Sequence, residues 1–469
     1  MNGATMQRLI GMTLATFAFS SLGGAPLGTR SGELAGRVDT RSVDVRSAAA
    51  PIDVTALLTA ARGAPPMICS LASRAVNNWG WGNGSDAPVT PLAPAVTTTD
   101  DRRFRDALSP ADIQKLFEGI GSDDACVREL SVRLIGTQKA ETVGGDLVTR
   151  LGSSDAAMRT VAALGLGLVE APNGVDPLIR TLRDQSTDVR ANSAWALGRI
   201  ENGRALNPLI NLFSDDAEKV REAAVAAVGH MESTAAVGAL IKVVREDNAA
   251  SVRRVAAWAL GNLEAREGVD ALTAVLAHDA DARVREMSAW ALGNIQDRRA
   301  VPALSAALRG DADERVRETA VWSIGNLEDR SSLDVLAAAT ADRNPSVRGT
   351  AAWAIGQLDE NVKAPPGLLR LLADDNTDVR LKSAWALGQL EDASALPAIR
   401  DALKVEKNDR VRRALIRALT KSGESSQETL TQLLSSSDPA VREAAVRGIA
   451  GARSFDPWPW PWPRPRPFP

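Results

Sequence analysis

The chain has 469 residues, 45% of them apolar and 24% charged, with a net charge of only -3. This is ample material for a hydrophobic core without a broadly basic surface, so nucleic acid is not expected as a partner. Two His (His230, His278), two Cys (Cys69, Cys126) and no Tyr leave few groups for acid-base, nucleophilic or transition-metal chemistry, and no catalytic, metal-binding or cofactor-binding residue is assigned.

In chain order, the first segment places Arg8 before an uncharged run from Leu9 to Leu22 that is followed by small residues, the layout of a secretory signal peptide over residues 1–22. The run is shorter than the roughly 20 residues that span a bilayer. The expectation is cleavage between Ser20 and Ala25 and an exported chain, periplasmic or secreted. Residues 23–50 lack apolar periodicity and read as a flexible spacer. Over residues 51–82 a helical hairpin is expected. Asp53 caps a helix carrying Val54, Leu57 and Leu58, and Pro65 and Pro66 start a second with Met67, Ile68, Leu71 and Val76 at helical spacing. It serves either as an N-terminal cap or as an element tethered by the Pro and Thr linker of residues 83–100. In an oxidising compartment Cys69 and Cys126 can pair, although their spacing leaves buried free thiols equally open.

The body, residues 101–453, is organised by one dipeptide. Val-Arg, once Met-Arg, begins at residues 127, 158, 189, 220, 252, 284, 316, 347, 379, 411 and 441, at intervals of 30 to 32. In the unit starting at Ser251, Val252, Val255, Ala256, Ala259, Leu260 and Leu263 line one helical face. That helix is expected to stop near Gly261 and Asn262, with a left-handed residue closing it. Val269, Leu272, Val275 and Leu276 define a second helix, and Asp279 and Asp281 restart the cycle. A lone helical pair cannot bury its apolar face, whereas stacked copies form a continuous core, so the fold expected is an all-α solenoid of about eleven two-helix repeats.

The motif D(x)4VRxxAAWALG, followed by PAL or a similar helix start, resembles HEAT repeats, and most of all the short HEAT-like variety first named from phycobilisome lyases. The resemblance covers residues 101–453. It implies a right-handed superhelix with the VRxxAAWALG helix on the concave side. The HEAT-like hydroxylase of deoxyhypusine uses His-Glu dyads for iron, and this chain has no His-Glu pair. Phycobilin lyase subunits share the repeat type but offer no transferable motif that matches here.

Two ladders run along the repeats. Arg190, Arg221, Arg253, Arg285, Arg317, Arg348 and Arg380 are matched by Asp184, Asp215, Asp247, Asp279, Asp311, Asp342 and Asp374, five residues before each Val. The reading is a turn in which Asp caps the helix while Arg reaches an Asp of the same or the neighbouring unit, a charged spine rather than a ligand track. The second ladder is Trp195, Trp258, Trp290, Trp322, Trp353 and Trp385, six residues after the Val, with Ala226 interrupting. At about 240° from the Val, these indoles lie beside the core stripe. They either pack against the next repeat or form a partner-binding row for an extended, proline-rich or aromatic peptide.

The tail, residues 454–469, alternates Pro with Trp458, Trp460, Trp462, Arg464 and Arg466, a pattern that forbids helix and sheet and favours polyproline II. Three readings stand: a disordered tail, a recognition element for an aromatic groove, or contact with a membrane surface. The function expected is a non-enzymatic exported scaffold holding a protein or peptide partner on the concave face. The alternatives are a lyase or enzyme-helper subunit of the phycobilin type, and a membrane-surface protein acting through the tail.

Overall fold

Each repeat closes as a helical pair because its second helix carries an apolar stripe that only a neighbouring repeat can cover. The computed structural model describes residues 53–62, 108–358, 362–424, 426–437 and 439–449. The expected leader, spacer, second helix of the hairpin, linker and tail lie outside these residues. Among the described residues every regular element is helical. After α1 (Val54–Arg62) come eleven pairs, each with a first helix A and a second helix B that carries the Val-Arg motif.

The pairs begin with α2 and α3 (Pro110–Ile120, Ala125–Ile135), α4 and α5 (Ala140–Leu151, Ala156–Leu168), α6 and α7 (Val175–Thr181, Thr187–Ile200), and α8 and α9 (Leu206–Asn211, Glu218–His230). They continue with α10 and α11 (Val237–Glu246, Ala250–Asn262), α12 and α13 (Val269–His278, Ala282–Ile295), and α14 and α15 (Val301–Gly310, Glu314–Asn326). The last four are α16 and α17 (Leu333–Ala339, Pro345–Gly356), α18 and α19 (Pro366–Arg370, Thr377–Leu390), α20 and α21 (Leu396–Val405, Asp409–Lys421), and α22 and α23 (Gln427–Leu434, Pro439–Ile449).

Hydrophobic packing is continuous from Val54 to Leu419, and a separate small cluster of Ile416, Leu433, Val441 and Ala445 holds the final pair. At the opposite end α1 packs on α2 and α3, its Val54 is buried, and the Asp53 carboxylate accepts a hydrogen bond from the Ala56 amide. Neighbouring B helices pack far more closely on one another than neighbouring A helices do.

The helix ends at Asn262, where the sequence places its stop, but the left-handed residue that closes it comes two residues later. Gly261 lies inside α11, and the left-handed residue is Glu264, with φ 48°. The Ala265 amide then donates to the Leu260 carbonyl at 3.0 Å, the long-range bond of a Schellman closure. The same place is taken by Glu170, Glu201, Glu232, Gln296, Glu328 and Glu391, and by Gly423 near the end of the array. The glycine of each AWALG motif has another purpose. A Cβ on Gly261 would lie 2.8 Å from the Ala291 Cα and 2.9 Å from the Trp290 Cζ3 of the next B helix. Glycine costs a helix interior about 1 kcal/mol relative to alanine, and close approach of the B helices is what it permits here.

Candidate interaction surface

The arginine ladder joins successive repeats. Arg285 Nε and Nη2 donate to both oxygens of Asp311, at 2.7 and 2.9 Å, while its Nη1 donates to the Asp279 carbonyl of its own turn. Arg253 grips Asp279 and Arg317 grips Asp342 in the same bidentate fashion. The chain of pairs extends at both ends, to Arg159 with Asp184 and to Arg380 with Glu406. The acid of each pair belongs to the following repeat, which selects one of the two partners the sequence allowed.

The ladder acids are not the N-caps themselves. Asp279 accepts from the Asp281 amide, and Asp281, two residues on, caps α13 by accepting from the Arg283 amide. Each acid thus orders the turn before the cap while holding the arginine of the previous repeat. The hydrogen bonds from Arg159 hold the Asp184 carboxyl below its ordinary range against the opposing effect of burial, and those from Arg348 do the same for Asp374. For Asp281 the Arg283 side chain is the largest influence, and it brings the carboxyl down to about 2.

The tryptophans divide. Trp353 is 2% exposed, Trp258 3% and Trp385 8%, so these three offer almost no surface to a ligand. Trp195, Trp290 and Trp322 are partly exposed. The indole edge repeatedly lies over the glycine of the preceding B helix: a Cβ at Gly229 would be 2.5 Å from the Trp258 Cζ3, and one at Gly325 would be 2.7 Å from the Trp353 Cζ3. His230 meets Trp258 edge to face, with ring centroids 5.1 Å apart. The structure thus places these indoles between repeats and leaves three of the six with part of the ring on the surface.

Beside the indoles, two residues after the Val in some repeats and three after it at Lys382, the B row carries half-buried charges that sequence reading did not single out. Burial raises the Glu222 carboxyl, opposed by Arg254 of the next repeat, and burial lowers the Arg254 guanidinium, opposed by Glu222. Burial also lowers Lys382, opposed by Glu318 and Asp378. Gly349 occupies the position of Glu318 in the next repeat, and a Cβ there would lie 3.1 Å from the Lys382 Cδ of the repeat after it. In the first repeat Glu129 is raised by burial, and its Oε2 has no hydrogen-bond partner. Helical phase was the available signal, because position two falls about 40° from the tryptophan position on the same side of the helix.

Cys126, at the start of α3, is buried and disulfide-bonded. Cys69, the other cysteine of the sequence, lies outside the described residues, as do Trp458, Trp460, Trp462, Arg464 and Arg466 of the candidate tail motif. Among the described residues no group of three or more His, Cys, Asp or Glu is arranged to hold a metal ion, and no helix is long and apolar enough to cross a membrane.

Stacked helical pairs, glycine-mediated contact between B helices and an arginine spine define the class, an α-solenoid. The chain belongs to the HEAT repeats family, which it matches over residues 175–261, 237–324, 301–380 and 365–450. A search of curated proteins finds no match. Among solved structures the chain is similar to importin beta, with TM-score 0.57 and 13% identity over 84% of this chain and 64% of that one. It is also similar to Kap95p in its complex with RanGDP, with TM-score 0.50 and 15% identity over 84% of this chain and 60% of that one. The chain thus spans less than two thirds of either protein.

Proposed function

We propose that this chain is a non-enzymatic, exported scaffold that holds a protein or extended peptide along the exposed side of its B-helix row. The observation that carries the reading is the composition of that row. Partly exposed Trp195, Trp290 and Trp322 run beside charges already withdrawn from water, notably Glu222, Arg254 and Lys382. Such groups have lost part of their hydration before a partner arrives, so they lose less on binding than fully solvated ones. Mixed signs favour a partner of mixed charge over a polyanion or a polycation. Kap95p, a solenoid of similar fold, binds RanGDP, which supports a protein partner as the class of ligand. The signal-like N-terminus and the disulfide at Cys126 support an oxidising compartment outside the cytoplasm.

The test is recovery of the chain from the exported fraction, before and after combining Glu222→Gln, Arg254→Gln and Lys382→Gln. The reading expects a mature chain starting between residues 20 and 26, with one stoichiometric partner that the triple variant loses at unchanged Tm. Recovery of the full-length chain from the cytoplasm would overturn the export. Absence of a stoichiometric partner, or its equal retention by the variant, would overturn the scaffold.

A further inference from the structure

The two ends of the array are finished differently. At the N-terminal end α1 covers the first pair. At the other end the last B helix exposes the side that every earlier repeat buries. The residue five after the Val or Met of the motif is at most 1% exposed in the ten preceding B helices, from Val132 to Ile416, and the residue eight after it is 0% exposed, from Ile135 to Leu419. In α23 their counterparts are Val446, 54% exposed, and Ile449, 48% exposed, with Leu434 of α22 exposed as well. Val446 and Ile449 thus occupy the two positions that each earlier B helix buries against its successor. Solenoid ends need a capping element because such a face is an open site for association.

We infer that the chain's own tail, residues 454–469, closes this face. The sequence directly after α23 is Ala-Gly-Ala-Arg-Ser-Phe-Asp and then the Trp and Pro tract, so the tail starts at the edge of the face it would cover, and Gly451 supplies a residue free to reverse the chain. Polyproline II advances about 3.1 Å per residue with three residues per turn, so residues three apart share an edge. Pro459, Trp462, Pro465 and Phe468 then form one wholly apolar edge about 28 Å long. The 11 residues of α23 are about 16 Å long, so one strand of tail laid back along the helix covers Ile449 and Val446 with length to spare. Arg464 and Arg466 fall on the other two edges and stay in water, as a capping strand requires. Proline at every second position removes half of the amide donors, so a covering strand of this sequence offers no regular edge for further pairing. This inference is independent of what the B row binds.

Amide exchange and hydroxyl-radical labelling of the full chain test it, with Trp462→Ser/Phe468→Ser and Ile449→Asp as variants. The tail substitutions lie outside the helical pairs and Ile449 is half exposed, so the solenoid stays folded in both. Capping predicts that exchange in residues 441–449 rises at least tenfold in the tail variant while residues 250–340 do not change. It also predicts that Trp462 is labelled several-fold faster in Ile449→Asp than in the unaltered chain. Unchanged exchange in residues 441–449 together with equal labelling of Trp462 would overturn it. So would a dimer in light scattering whose dilution alone releases residues 441–449, since a second copy would then be the cover.

Discussion

Trp353 and Gly325 illustrate how one residue sets the spacing of the stack. The indole is buried against a position where a Cβ would stand 2.7 Å from its Cζ3. Trp353→Ala should therefore cost about 3 to 5 kcal/mol in urea unfolding, the range for a buried Trp. Trp322→Ala, at a partly exposed member of the row, should cost clearly less. Gly325→Ala should destabilise by about 1 to 3 kcal/mol although alanine is the better helix former, because the added methyl overpacks the interface. Glu264 sits in the opposite situation. Its φ of 48° is unfavourable for any residue with a Cβ, and no side chain is required to shape the turn. Glu264→Gly should stabilise by about 0.5 to 1 kcal/mol, and a loss of stability in the same urea titration would show that the carboxylate holds the turn.

At the scale of the element, the arginine spine ties each B helix to the turn that starts the next. Arg285→Ala removes a bidentate pair and a bond to the Asp279 carbonyl, and should cost about 2 to 3 kcal/mol, more than the removal of an exposed pair such as Lys404 with Asp401. The pH dependence follows from the direction of the shifts. The carboxyls of Asp184 and Asp374 are lowered in the folded protein, so their contribution is complete above the unfolded value near 3.8 and is lost as pH falls through the folded value. Tm should hold from neutrality to about pH 5 and drop steeply below pH 4, with a shallower drop in Asp374→Asn. An equal slope in that variant would remove the spine from the acid response.

For the whole molecule, nearest-neighbour packing predicts unfolding that is not all-or-none. The final pair rests on its own small cluster of Ile416, Leu433, Val441 and Ala445, so residues 426–449 should exchange amide protons before the central repeats do. Cooperative loss of all repeats at one denaturant concentration would contradict this. The Cys126 disulfide has a direct chemical readout: the unreduced, unfolded chain should present no free thiol, and reduction should release two per chain. A thiol titre of two without reductant would remove this support for an oxidising compartment.

Much of the architecture was legible because it is periodic. A Val-Arg pair every 30 to 32 residues and apolar spacings of three and four determined eleven helical pairs, since local hydrophobic phase repeats in every unit and needs no long-range information. The pairing of arginine with acid was legible as well, but not which repeat supplied the acid. That choice depends on the offset between adjacent turns. The same offset buries Trp258 and Trp353 while leaving Trp195, Trp290 and Trp322 partly open, although all five occupy one sequence position. Glu264 at a left-handed turn and Gly261 inside a helix reversed the usual residue signals, because close contact between B helices outweighed local preference. The sequence by itself determined what repeats. Only the tertiary structure decided which copies of a repeated side chain face a neighbour and which face solvent, because that depends on the presence and distance of the next repeat, and at Val446 and Ile449 no described repeat follows.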